Sequence, residues 1–326
     1  MAQNKQSEKR NTRAKRRAAE EQAARERAEQ AAKERKQQTI IGAIAVAVIV
    51  ILIVVAGIAI YGSIRKKAAT DGISVDTAYS QLQAVKTKPA AADDKGGIQM
   101  SKDGYGASNK IADAPTVAIY MDPLCPGCGQ LNRDIDPTLI ELMNAGQINL
   151  EIHPMSFMDR YSTDEYSSRV SNSILYIAGN DSDPNHLLKY LANIYAEDFQ
   201  PGEGSDYKSV SDDALKEQAI AAGVPQKVAD AAFGREYQDW LDAINLYTPK
   251  RSELWQITGS LKGSMSTPTV TINGNFWDRN QLSLAGLDTK SGLLESLGIT
   301  ENQVGKEGEM PSIGATGKPI SLTTGE

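Results

Sequence analysis

Cysteine is nearly absent from this chain. There are two in 326 residues, Cys125 and Cys128, and they stand together as C-x-x-C. A disulfide-stapled scaffold is thereby excluded. One bridge around two inner residues closes too short a loop to stabilise a fold much. Histidine is equally scarce: His153 and His186 have 32 residues between them, which is not zinc-finger spacing. A c-type haem needs C-x-x-C-H, and position 129 is glycine. Residues 7–36 lack glycine and proline, and residues 39–61 lack any charge.

Those last absences organise the N-terminal part. Residues 1–38 carry 12 Lys/Arg against 6 Asp/Glu and are rich in Ala, Glu and Gln, a helix-favouring composition. The pairs Glu21–Arg25 and Glu29–Lys33 are spaced i,i+4 in the favourable order. With almost no apolar residue larger than Ala, this is expected to be a solvated basic helix. It would lie beside the membrane; a sharper reading is attraction to anionic lipid headgroups, each well-placed cation contributing ~1 kcal/mol. No aromatic residue is interleaved, which argues against nucleic acid.

Residues 39–61 are dominated by Ile, Val and Ala. At helical rise, 23 residues span ~34 Å, enough for a ~30 Å hydrocarbon core. The run exceeds a signal-peptide h-region and follows a long charged head, so an uncleaved transmembrane helix in the lipid bilayer is expected. Arg25, Arg27, Lys33, Arg35 and Lys36 precede it, against Arg65, Lys66 and Lys67 after it. This places the N-terminus in the cytoplasm and the remainder outside, in a single-pass cell-membrane protein. The remainder carries a net charge of −12. An oxidising compartment is where disulfide chemistry is useful.

Residues 62–96 read as an extracytoplasmic linker, with a short helix over 73–85. The folded domain is expected at 97–300. An apolar run over 116–121 is a buried strand, and the helix-like pattern after Cys128 carries Leu131, Ile135, Leu139 and Leu142. Pro137 is expected to kink or break that helix. Residues 147–153 alternate as the next strand. From about 156 to 259 the spacing turns helical, over 166–178, 185–196, 212–222, 226–233 and 236–257, which reads as an inserted helical domain. Asn273-Gly274 then joins two short antiparallel strands. Residues 301–326 are poor in apolar side chains and are expected to form a flexible tail.

C-x-x-C at a strand-to-helix junction is the position of a redox pair. The first thiol would stay exposed at the helix N-terminus, where free N–H groups and the dipole favour its thiolate. Pro126 would take the first helical position, where its missing donor does no harm. Cys125 is therefore the candidate nucleophile and Cys128 the resolving thiol. A structural disulfide and a zinc site are the competing readings, the latter short of ligands.

The segment Asp122-Pro123-Leu124-Cys125-Pro126-Gly127-Cys128, a helical block, and then Ser266-Thr267-Pro268-Thr269-Val270-Thr271-Ile272-Asn273-Gly274 resembles the DsbA-like thioredoxin-fold disulfide oxidoreductases. The resemblance covers residues 97–300, and the N-terminal layout is similar to membrane-anchored actinobacterial members. It implies an α/β thioredoxin fold with a helical insertion. It also implies that Pro268 is a cis-proline facing the sulfurs, with the Thr267 backbone offered to a substrate peptide. Gly127 stands where this family often has His. Without that cation, Cys125 is expected to titrate above the ~3.5 of the strongest oxidant, nearer the ~7 of thioredoxin. Asp122 would push the same way, or else be a solvated strand-end acid. His153 is expected to be a hydrogen-bonded structural residue, and Phe276 and Trp277 core or hairpin residues.

The expected function is oxidation of cysteines in exported polypeptides, with a membrane redox partner recycling the dithiol and no metal or cofactor. A thiol reductase or disulfide isomerase on the same scaffold stays open. So does a non-catalytic, membrane-tethered binding module.

Overall fold

The run Thr-Val-Ala-Ile-Tyr-Met forms the centre of the sheet. In the computed structural model, which describes residues 72–323, β3 (Thr116–Met121) is buried at every position after the first. A strand covered on both faces reads as continuously apolar rather than alternating, and this one does. On one side it pairs in parallel with β4 (Asn149–Pro154), Thr116 facing Asn149 and Tyr120 facing His153. On the other it pairs antiparallel with β5 (Thr269–Ile272). The outer strands are β1 (Ile98–Ser101), β2 (Gly104–Tyr105) and β6 (Asn275–Phe276), giving the order β2-β1-β4-β3-β5-β6. The β5–β6 turn is Asn273-Gly274, with φ of 50° and 75°. These are the left-handed values that a two-residue hairpin needs and that Asn-Gly tolerates.

The crossover between β3 and β4 is α2 (Pro126–Asn144). Cys128, Leu131, Ile135, Leu139 and Leu142 are buried along one face, at intervals of three and four. Pro137 lies inside this helix without ending it, contrary to the sequence expectation. Ile135 and Leu139, on either side, are anchored in the core, and their burial offsets the lost backbone bond.

Between β4 and β5 the chain forms α3 (Tyr166–Asn180), α4 (Pro184–Ile194), α5 (Asp212–Ala221), α6 (Gln226–Ala231) and α7 (Gln238–Tyr247). Their starts follow local chemistry. The Asp183 carboxylate accepts from Asn185 N with Pro184 in the first turn, and the Ser211 hydroxyl accepts from Ala214 N. The last helix is shorter than its expected span of 236–257. It ends at Tyr247, and two single turns, Thr248–Lys250 and Ser252–Leu254, follow. Pro249 lacks the donor that would continue the ladder. After β6 come α8 (Asn280–Ala285) and α9 (Thr289–Leu297).

Two expectations about the ends of the domain are corrected. Residues 73–96 are not a stalk but part of the folded unit that begins at Ile73. The helix α1 (Val75–Ala84) buries Ala78 and Leu82 completely. The Tyr79 ring lies 5.2 Å from that of Tyr247 at the end of α7. Residues 301–323, expected to be flexible, are tied down by their backbone. The Gln147 amide donates to Gln303 O (2.8 Å) and Glu309 O (2.5 Å) and accepts from Gly305 N. Asn273 Nδ2 donates to Gly314 O and Gly317 O. Composition registers side chains, and this attachment uses main-chain groups.

The expected basic helix at 1–38, the membrane span at 39–61 and the start of the linker lie outside the described residues. Among those described, no helix is long and apolar enough to cross a membrane.

Candidate functional site

β3 ends at Met121, and the turn Asp122-Pro123-Leu124 delivers the chain to α2. Cys125 is the N-cap of that helix and Pro126 its first residue. Pro126 and Gly127 are exposed, whereas Cys125 is 9% and Cys128 2% exposed. Cys125, the candidate nucleophile, is thus more covered than expected, because a second loop sits against it. The Thr267–Pro268 peptide is cis. Cys125 Sγ lies 3.4 Å from Thr267 O. A Cβ built on Gly127 would come within 3.3 Å of Pro268 Cδ and 3.9 Å of Cys125 Sγ. The two halves of the expected site, 140 residues apart in the chain, therefore meet.

The thiols are electrostatically unequal. A hydrogen bond from the Cys128 thiol, then the Cys128 backbone, the Thr267 side chain and the Gly127 backbone, bring Cys125 down to about 6 against the opposing effect of burial. Burial pushes Cys128 well above its ordinary value, and both are free thiols. At neutral pH one sulfur is a thiolate and its neighbour a thiol, which is the asymmetry that disulfide exchange uses.

Asp122 is fully buried, not solvated. Its carboxylate accepts from Leu124 N (2.9 Å), Met158 N (2.9 Å) and the Ser167 hydroxyl (2.6 Å). It thus joins the turn before Cys125 to α3 and the loop before it. Burial raises its pKa to about 7 despite those donors. Its backbone N–H points at Cys128 Sγ (3.4 Å). His153 is the hydrogen-bonded structural residue expected: it is 1% exposed, 2.5 Å from Glu151 Oε1 and stacked on Tyr120. Trp277 is a core residue whose Nε1 donates to Ser296 Oγ.

Sequence reasoning missed several residues around the sulfurs. Gln200, from the loop after α4, donates to Pro123 O (3.0 Å) and Cys125 O (3.1 Å). Arg279, beyond β6, donates to Pro268 O (3.0 Å). Asn132 and Asp136 line a small void with Cys128 and Pro268, and Asn132 donates to the Asp136 carboxyl. Only this last pair left a trace in the sequence, as polar residues four and eight positions after Cys128 on the apolar face of α2. Among the described residues no group of three His, Cys, Asp or Glu side chains is placed to hold a metal ion.

Gly129 explains how Gln200 reaches the motif, since a Cβ there would fall 2.0 Å from Gln200 Oε1. In Gly129→Ala the flexible amide gives way before the helix does. Two hydrogen bonds of about 1 kcal/mol each are lost against about 1 kcal/mol of helix propensity gained. The expected net loss is about 1 kcal/mol by urea unfolding. In a Gln200→Ala background the same change should stabilise by about 1 kcal/mol. A destabilisation of equal size in both backgrounds would refute the coupling.

A family model described as thioredoxin matches residues 111–285, more than half of the chain and both halves of this site. The chain belongs to the thioredoxin family. Among solved thioredoxin-fold structures, oxidised DsbA of Mycobacterium tuberculosis is 25% identical with a TM-score of 0.45, covering 58% of this chain and 89% of that one. MdbA of Corynebacterium diphtheriae, a thiol-disulfide oxidoreductase, is 19% identical with a TM-score of 0.46, covering 61% and 93%. A curated relative, the serine/threonine-protein kinase PknE of Mycobacterium tuberculosis, is 26% identical over 109 residues, 33% of this chain. That alignment spans only 19% of the kinase's own length.

Proposed function

We propose that this protein is a membrane-anchored, extracytoplasmic thiol-disulfide oxidoreductase of the DsbA type. It would oxidise cysteine pairs of exported polypeptides through a Cys125–Cys128 disulfide. The observation that carries the reading is Cys125 Sγ lying 3.4 Å from Thr267 O beside Pro268, with Cys128 buried behind it. The uncharged run at 39–61 and the basic residues before it support the anchor and its orientation.

A substrate thiolate attacks Cys125 Sγ, and the Cys125–Cys128 bond breaks. Cys128 leaves with the electron pair and takes up a proton, which its raised pKa favours. A second substrate thiolate then attacks the substrate sulfur of the mixed disulfide and expels Cys125 as a thiolate. The substrate has lost two electrons and the enzyme dithiol has gained them. Sulfur alone balances the exchange. A membrane redox partner with an oxidising disulfide of its own would return the pair to the oxidised state. The exposed Pro126 and Gly127 leave the motif open to both. The Thr267 backbone beside Cys125 would be offered to the substrate peptide.

A reductase or isomerase would use the same steps at a different redox poise. The Cys125 value of about 6, rather than one near the ~3.5 of the strongest oxidant, keeps that reading in view, and the reduction potential separates the two. The reading itself is tested by trapping. In Cys128→Ala the Cys125 thiolate can still attack a disulfide of an exported polypeptide, the reverse of the second step, but no neighbouring thiol displaces it, so mixed disulfides should accumulate in cells, seen on non-reducing gels. Recovery of none, or of the same species from a variant that also lacks Cys125, would overturn it.

A further inference from the structure

Neither residue inside the C-x-x-C motif can carry charge, since Pro126 and Gly127 stand there. A positive partner for the Cys125 thiolate must come from another part of the chain. The β5–β6 hairpin brings one. It doubles the chain back, so that Arg279, three residues past β6, returns alongside the start of β5. There its Nη2 donates to Pro268 O at 3.0 Å. The next carbonyl towards the N-terminus, that of Thr267, faces Cys125 Sγ. Arg279 is half-buried, and it also walls a cleft of about 580 Å³ with Asp134, Leu287 and Lys290.

We propose that Arg279 is a positioning residue for the exchange reaction: it fixes the Pro268 carbonyl beside the sulfurs and supplies the positive charge that favours the Cys125 thiolate. The inference rests on the exchange reading of the site. The groups around Cys125 come from four elements. Cys128 lies on α2, Asp122 at the end of β3, Tyr195 after α4 and Arg279 after β6. Asp122, where ionised, opposes the thiolate. Arg133 on α2 is engaged by Tyr195 O (2.6 Å) and Gln130. Lys290, at the cleft, is paired with Glu301.

The electrostatics agree with the geometry. Burial pulls the Arg279 pKa down, and the sulfurs of Cys128 and Cys125, with Asp134, pull it back up. Coupling between two sites is reciprocal, so the guanidinium favours ionised sulfur by the same amount. A stabilised thiolate also makes the disulfide more oxidising, because the reduced form is the one favoured. Arg279 would thus do from the hairpin what a cation inside the motif would otherwise do.

The test uses the reduced protein and the ultraviolet absorbance of the thiolate against pH. The Cys125 midpoint should rise by about one pH unit in Arg279→Gln, a tenfold fall in the thiolate-to-thiol ratio. The glutathione equilibrium should shift about fivefold towards the disulfide at pH 7. Arg279→Lys, which keeps the charge, should recover most of the midpoint. It should keep a raised KM for a peptide dithiol, because an ammonium does not reproduce the planar fork.

Circular dichroism establishes that each variant is folded, and Arg279→Met fills the same space should the glutamine variant melt. An unchanged midpoint in a folded variant overturns the proposal. So does unfolding of both, which would make Arg279 purely structural. The titration needs only a reduced dithiol. A wild-type protein that titrates normally but does not exchange with glutathione would sink the functional reading and leave the Arg279 result standing.

Discussion

Replacing Cys125 with serine is expected to abolish exchange with glutathione disulfide and with reduced, unfolded protein, a loss on the order of 10³-fold or more. The hydroxyl that remains is not ionised at neutral pH and is a poor partner for sulfur. Cys128→Ala should keep the attack of the Cys125 thiolate on glutathione disulfide and lose only the closing step, in which Cys128 expels glutathione. The pH dependence follows from the Cys125 value of about 6. The thiolate is the nucleophile, so alkylation of the reduced protein should rise from pH 5 to 7 and flatten above. Cys128 adds nothing in that range, because burial keeps it protonated. Stopped-flow alkylation of the wild type and both single variants measures this. Full biological function in Cys125→Ser would instead favour a tethered binding module that uses the fold for recognition.

Asp136→Asn should raise stability at neutral pH. Unfolded, this aspartate ionises at its ordinary value of 3.8; folded, burial pushes it up to about 8. Between those values the folded state holds a proton that the unfolded state has released, so stability falls as pH rises through the window. By pH 7 the loss is about 4 kcal/mol. Asparagine cannot ionise and still offers Asn132 an acceptor. Its buried amide donors cost about 2 kcal/mol.

The expected balance for Asp136→Asn is near zero at pH 5 and a gain of about 2 kcal/mol at pH 7. Asp122, raised to about 7, slopes the same way and leaves part of the pH dependence in the variant. Urea unfolding at pH 5, 7 and 8 checks this. A loss of equal size at all three values would show that Asp136 is held ionised.

The parts of the site that were legible are those whose chemistry is local. A C-x-x-C after an apolar run can be placed on a helix N-terminus because strand, turn and helix signals all fall within 30 residues. Asn273-Gly274 announces its hairpin because few residue pairs tolerate two positive φ values. Pro268 was placed by resemblance, and the close approach of Thr267 O to Cys125 Sγ bears that placement out. The misreading of Pro137 has a related cause. A local rule predicted a break, and burial on both sides of the proline outweighed it.

Other features have no local signature. Nothing near Gln200 or Arg279 marks either as a neighbour of Cys125, since each arrives there through the path of a distant loop. Asp122 reads equally well as solvated or buried until Ser167 and Met158 close over it. The last described residues look loose because their attachment is through backbone carbonyls received by Gln147 and Asn273. Short-range pattern was enough to specify the place of the C-x-x-C pair, its helix and the strands around it, since those depend on periodicity and turn chemistry. How acidic each thiol is, and which side chains close over the pair, depends on burial and on charges from remote segments, and these exist only once the chain has folded.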